Sequence, residues 1–190
     1  MIGNDIIALQ VAAQESRINR KGFLEKLFLP EEIQMIYHSP DPATTTWLLW
    51  SCKEAVYKII HRYTRERRYA PQRFHCYLQQ QERGAASGMV VYQQQTCYFQ
   101  STITTDYIHT YAAVTPALLK EMEVFADTTQ HYPSTPQRIQ PLLSNNELFY
   151  KDEAGIPYIL HRDTGEQLPV SVSHHGNYLA FVKLSPLEKV

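Results

Sequence analysis

Apolar residues recur at helical spacing through residues 47–58, where Leu48, Cys52, Val56 and Ile59 share one side and predict a core-facing stripe. Glu54 lies about 200° around from Cys52 at roughly 100° per residue, and Lys58 follows one turn later. An acid and a base therefore project together away from the core. Residues 2–9 form a short apolar run interrupted by Asp5, which predicts a strand carrying a carboxylate. Residues 168–183 alternate, turn at 175–177 and resume as a second apolar strand, which predicts a hairpin with a polar tip. Alternation sends Ser171 and Ser173 to one face and His174 to the other.

Between these segments, residues 74–78, 88–92, 96–103 and 107–114 read as successive strands, with turns near 83–87, 93–95 and 104–106, so an antiparallel meander is expected. Residues 29–32 start a helix, with Pro30 in its first turn and Glu31 and Glu32 beside its positive end. Residues 116–127 are expected to form a short helix, 128–136 a linker and 137–145 another helix. The layout is an α+β fold of two small lobes, roughly 1–118 and 130–190, which together make one domain over 1–190.

Glu54 and Lys58 alone describe an exposed ion pair, worth a few tenths of a kcal/mol. Asp5 is more telling, because a carboxylate inside a strand is unfavourable unless something needs it. Three segments, Gly3-Asn4-Asp5-Ile6, Trp50-Ser51-Cys52-Lys53-Glu54-Ala55-Val56-Tyr57-Lys58 and Ser171-Val172-Ser173-His174, together resemble the 4′-phosphopantetheinyl transferase superfamily. Its members show a G-x-D-I strand, a W/A-x-x-K-E-A-x-x-K helix and an S-x-S-H strand end. Residues 149–159 resemble the family's K-D-x-x-G-K-P-Y strand pair with Ile156 in place of the usual Lys, and residues 17–32 resemble its R-x-x-F segment. The glycine loop that often follows the helix is missing after Lys58.

The resemblance implies a 4′-phosphopantetheinyl transferase-like fold, a pseudodimer of two lobes with antiparallel sheets. It also implies Mg2+-dependent transfer of phosphopantetheine from coenzyme A to a serine of an apo acyl or peptidyl carrier protein, with release of 3′,5′-ADP. Attack on a pyrophosphate needs charge neutralisation and alignment, and magnesium takes one or two carboxylates plus phosphates and water. By resemblance Asp5 and Glu54 are the metal ligands, and Glu54 and Lys58 the catalytic residues. The third acid of some members is here Ile7, so two protein carboxylates are expected. Lys58, Ser173, His174 and Arg62 are expected to hold phosphates of coenzyme A. Arg17, Arg20, Lys21 and Lys26 would steer an acidic carrier helix, with Phe23 as an apolar anchor. The base for the carrier serine is left open between Glu54 and water activated by the ion. Lys53 either buttresses the carboxylates or pairs elsewhere. The length favours a pseudodimeric monomer over the trimer of short members. The pathway, fatty-acid biosynthesis or secondary metabolism, is not specified.

At 190 residues and 44% hydrophobic, the chain can bury the core such lobes require. A net charge of −1 provides no general field for nucleic acid, so any anion site must be local. Cys52, Cys76 and Cys97 have no metal spacing and fit buried thiols in a reducing compartment. No apolar run approaches about 18 residues, so no membrane span is expected and a cytoplasmic location is. Two other classes stay open: a non-catalytic carrier-protein or nucleotide-binding module of the same fold, and an RNA-binding protein built on the arginines and aromatics between Arg62 and Arg73.

Overall fold

The N-terminal apolar run forms strand β1 (Ile2–Ala8), and all of it is buried. The chain continues through α1 (Leu9–Glu15), α2 (Leu24–Leu27), α3 (Pro30–His38) and the long α4 (Pro42–Thr64). The meander follows as β2 (Phe74–Glu82), β3 (Ala85–Tyr92), β4 (Gln95–Ile103) and β5 (Tyr107–Ala113). β5 returns to pair antiparallel with β1, so the sheet runs β1-β5-β4-β3-β2 with β1 at its edge. This computed structural model describes residues 1–128 and 134–185.

α4 obeys the periodicity that predicted it. Asp41 accepts from Thr44 N at 3.0 Å as N-cap, Pro42 opens the first turn, and Arg65 stops the helix with a left-handed φ of 62°. Leu48, Cys52, Val56 and Ile59 are wholly buried in the main core with Ile108, Val90 and Cys97 from the sheet. Burial on this scale is worth roughly 1.5–3 kcal/mol per large aliphatic side chain. β1 crosses α4 at Gly3 so closely that a Cβ there would stand 2.1 Å from the Ala55 carbonyl oxygen.

Lys53, one residue before Glu54, points about 100° around the helix from it. It is fully buried, and its Nζ donates to Glu32 Oε2 at 2.5 Å, Leu27 O at 3.2 Å and Pro71 O at 3.1 Å. Glu32 also accepts from the amides of Leu29 and Cys76, so both of its oxygens are bonded. Lys53 therefore ties α4 to Leu27, Glu32 and Pro71 rather than buttressing Asp5 and Glu54. Burial draws its pKa down, and the Glu32 charge opposes that shift.

The second half repeats the strand order. After α5 (Pro116–Lys120), β6 (Met122–Thr128) leads through α6 (Thr135–Ile139) to β7 (Glu147–Lys151), β8 (Pro157–His161), β9 (Gln167–His175) and β10 (Tyr178–Leu184). The sheet runs β6-β10-β9-β8-β7, the arrangement of the first sheet counted again from β6. The fold is thus α+β with two five-stranded antiparallel sheets, as a two-lobed phosphopantetheinyl transferase-like architecture requires. One expectation fails: residues 116–127 are not one helix. Only Pro116–Lys120 is helical, and β6 pairs along β10 from Met122↔Leu184 to Tyr178↔Thr128, because an open strand edge and the alternating Val124, Phe125 and Ala126 outweigh helix propensity. The expected helix at 137–145 is instead α6, starting at Thr135, followed by a 3-10 turn over Gln140–Leu142. The expected linker at 128–136 falls largely outside the described residues.

Gly3→Ala should destabilise the fold by about 1–3 kcal/mol, read as a lower urea midpoint of unfolding, since the added methyl must displace backbone rather than a flexible side chain. An unchanged midpoint would mean that β1 and α4 do not cross at Gly3.

Candidate active site

As an edge strand, β1 turns the amides of Asn4, Ile6 and Ala8 away from β5. Side chains from β9 take all three: Asn4 N donates to Ser171 Oγ at 2.9 Å, Ile6 N to Ser173 Oγ at 3.1 Å and Ala8 N to His175 Nδ1 at 2.9 Å. Both sequences alternate with period two, so a Ser-x-Ser-x-His strand matches every second amide of its neighbour. With Nδ1 accepting, the His175 proton belongs on Nε2, which lies 3.4 Å from Glu15 Oε2. His175 was not among the expected site residues. Its signal was present, because it continues the Ser171–Ser173 alternation, whereas His174 leaves it.

This docking sets the position of Asp5. Asp5 points toward α4, where Ser173 Oγ donates to its Oδ1 at 2.9 Å and Lys58 Nζ stands 3.7 Å from the same oxygen. Lys58 Nζ donates to Asn4 O at 2.7 Å and Val172 O at 3.2 Å, joining α4 to β1 and β9. Ser173 is buried, and its one proton goes to Asp5. Asp5 Oδ2 and Glu54 Oε2 are both buried with no hydrogen-bond partner. They face one cleft of about 350 Å³, with His174 and His175 on its rim and Trp47, Trp50 and Phe23 among its apolar walls.

The electrostatics are those of an incompletely neutralised pair. Burial raises the Asp5 pKa, against the nearby Lys58 ammonium and the Ser173 hydrogen bond. Glu54 is pushed up to about 7, by burial first and then by the Asp5 charge, with Lys58 opposing. His174 is held below its usual value by desolvation and then by the positive charges of Lys58, Lys151 and Arg138. Among the described residues no group of three or more His, Cys, Asp or Glu is placed to hold a metal ion.

Beyond Lys58 a second cleft, of about 210 Å³, is lined by His61, Arg62, Lys151 and Gly155. Arg62 is buried there; its Nη2 donates to Pro157 O at 2.9 Å and Val170 O at 2.5 Å, and its guanidinium lies over Tyr158. Its Nε and Nη1 remain buried without partners. Arg65 pairs with Asp152, and Arg67 donates to Ala154 O. Three arginines of the Arg62–Arg73 segment thus bond to the second lobe, Arg62 buried and Arg65 and Arg67 exposed. Arg17, Arg20, Lys21 and Lys26 are exposed, and Arg17 and Arg20 line a groove that shares Ser16 and Trp47 with the main cleft. Phe23 packs edge-on against Trp47 at 6.5 Å.

Over residues 1–112 the sequence matches the family model described as ACPS, the 4′-phosphopantetheinyl transferase superfamily. The chain belongs to this superfamily. The matched region carries Asp5, Glu54 and Lys58 and stops before the Ser171–His175 strand. Membership supports a phosphopantetheinyl transferase kind of activity, whose substrates in the superfamily are coenzyme A and a carrier protein. No curated protein matches the chain. Among the described residues no helix is long and apolar enough to cross a membrane.

Two predictions follow from the site's geometry. Ser173→Ala leaves the buried Ile6 amide unpaired, at a cost of about 1–3 kcal/mol, so hydrogen exchange at Ile6 should accelerate while that of Ile7, whose strand pairing is with β5, changes less. The second concerns pH. Because Glu54 binds its proton more tightly folded (pKa about 7) than at its ordinary value of 4.5, its contribution to stability is full below pH 4.5 and is lost as pH rises to 7. With chelator present, the thermal midpoint should fall across that window in the native protein and fall less in Glu54→Gln; equal slopes would contradict the buried, raised carboxyl.

Proposed function

We propose that this superfamily member transfers the 4′-phosphopantetheine group of coenzyme A to a serine of an apo acyl or peptidyl carrier protein, in a Mg2+-dependent reaction that releases 3′,5′-ADP. The observation that carries this is the pair of buried, unpartnered oxygens, Asp5 Oδ2 and Glu54 Oε2, on the wall of one cleft beside Lys58. Unmet carboxylate oxygens are what a hard divalent cation binds. The residues fit such an ion, with Asp5 and Glu54 as its protein ligands. When bound it supplies neutralisation of the pyrophosphate charge.

The chain's own groups do the rest. Lys58 has three N–H donors and uses two on the Asn4 and Val172 carbonyls. The third is left for a phosphate oxygen on the leaving side, where the ammonium stabilises developing negative charge and protonates the departing 3′,5′-ADP. Glu54, on the wall of the cleft, takes the proton of the carrier serine. His174, in its cationic surroundings, binds a phosphate of coenzyme A. Ser173 serves by orienting Asp5, since its proton is not available for a phosphate. The second cleft, with the two unmet nitrogens of Arg62, receives the nucleotide end. Arg17, Arg20, Lys21 and Lys26 steer the acidic helix of the carrier toward the main cleft, and Phe23 anchors it. Because β1, α4 and β9 of one chain build the site, a monomer suffices.

Incubation with coenzyme A, Mg2+ and apo carrier proteins, followed by intact mass, tests the proposal directly. Asp5→Asn and Glu54→Gln should each abolish the mass gain while leaving the fold intact. Lys58→Met should depress kcat, and His174→Ala should mainly raise the KM for coenzyme A, as expected when one group acts in the transition state and the other in uniform binding. Full transfer by Asp5→Asn would refute the two-carboxylate site.

A further inference from the structure

One imidazole holds both ends of α1. His175 Nδ1 accepts at 2.9 Å from the amide of Ala8, the residue that caps the start of the helix, and His175 Nε2 lies 3.4 Å from Oε2 of Glu15, its last residue. α1 has little of its own to fix it. It is seven residues long, has no side-chain N-cap and buries only Ala12, and a helix this short is marginal without tertiary contacts. The Leu9 amide adds one bond, to Asp106 O at 2.8 Å. The hairpin tip beside His175 also packs on the helix, since a Cβ at Gly176 would stand 2.8 Å from Val11 Cγ2 and 3.4 Å from Ala8 Cβ. α1 and the residues just after it border two spaces: Ala12, Glu15 and Ser16 line the main cleft, while Ala13, Ser16 and Arg17 line the adjoining groove with Arg20. The chain turns directly from α1 into that basic groove, where Ser16 N donates to Ala12 O and Arg20 N to Arg17 O.

We propose that His175 is a positioning residue for the carrier protein: by bonding the Ala8 amide and Glu15 it fixes α1, and with it the placement of Arg17 and Arg20 relative to Asp5 and Glu54. The inference rests on the reading of Arg17, Arg20, Lys21 and Lys26 as the carrier's approach. A carrier that docks on the basic groove brings its serine to the carboxylates only if groove and cleft keep one spacing, and α1 borders both. A carrier that binds a loosened α1 must order it, which weakens binding and leaves the chemistry of the bound complex unchanged. The role requires His175 Nδ1 to carry no proton, because only the unprotonated nitrogen accepts from Ala8 N. Ser171 satisfies the same strand edge two amides before β1 reaches α1, at Asn4, so it holds the lobes together without holding the helix.

Steady-state transfer from coenzyme A to an apo acyl carrier protein of the same source, with thermal midpoints measured alongside, tests this on the full chain. His175→Leu should raise the KM for the carrier by about 3–10-fold, the net worth of roughly one hydrogen bond, with kcat and the KM for coenzyme A held within about twofold. His175→Asn, whose Oδ1 takes the place of Nδ1, should restore the carrier KM. His175→Gln offers no acceptor at that place and should not restore it, and it carries the test if the leucine variant fails to fold. Ser171→Ala removes the equivalent bond from the Asn4 amide and should lower the thermal midpoint with the carrier KM unchanged. A carrier KM that is unchanged in His175→Gln, or raised as much by His175→Asn or by Ser171→Ala, overturns the His175 assignment; the docking reading stands if Arg17→Glu still raises that KM. Absence of transfer by the native protein, or a carrier KM indifferent to both Arg17→Glu and Arg20→Glu, overturns the docking reading and the His175 role with it.

Discussion

The edge of β1 is the constraint on which everything else depends. A buried strand edge must have its amides satisfied, and here the second lobe satisfies them with the side chains of Ser171, Ser173 and His175 rather than with a continuing backbone ladder. Keeping backbone out of that seam leaves room for Lys58 to reach carbonyls on both strands, Asn4 O and Val172 O. Ser173 then serves two partners at once, accepting from Ile6 N and donating to Asp5 Oδ1. Lobe docking and placement of the reactive carboxylate are one interaction.

Around this seam the protein holds two kinds of buried charge. Lys53 and Glu32 are matched, each bonded by further groups, and they tie α4 to its neighbours. Asp5 and Glu54 are not matched, because the single nearby ammonium is shared with two carbonyls and stands 3.7 Å from Asp5 Oδ1. Burial raises both carboxyls toward the protonated form, and the Asp5 charge raises Glu54 further. Such an imbalance costs stability, and it persists in folds where a ligand of opposite charge offsets it. Adjacent residues on α4, Lys53 and Glu54, thus point about 100° apart and sit in different surroundings, one in a matched buried pair and one beside an unmatched carboxylate.

Strict periodicity made α4, β1, the meander and the β9–β10 hairpin legible in the sequence, and with them Asp5, Glu54 and Lys58. What stayed hidden lay in relations between distant segments. Lys53 finds Glu32, and neither residue's surroundings in sequence distinguish a buried pair from a solvated one. The arginines from Arg62 onward resemble a basic surface, but the acceptors of Arg62, Arg65 and Arg67 are Asp152 and the carbonyls of Ala154, Pro157 and Val170, and a carbonyl carries no residue-type signal. β6 was misjudged as helix because Pro116, Leu118 and Leu119 start one, while its strand state depends on the open edge of β10. His175 was overlooked beside His174 because two adjacent histidines are chemically alike, and only the register against β1 separates them.

The near-full-length span of the Asp5–Ser173 bond, 168 residues, bears on how the molecule is made. The strands of the first sheet, β1 to β5, are synthesised before the β9 side chains that cover the free edge of β1. During that interval the amides of Asn4, Ile6 and Ala8 form an exposed template of the sort that invites pairing with a neighbouring chain. Asp5 meanwhile lacks the hydroxyl that orients it. Arrival of the β9–β10 hairpin therefore covers the strand edge and orients Asp5 in a single docking event.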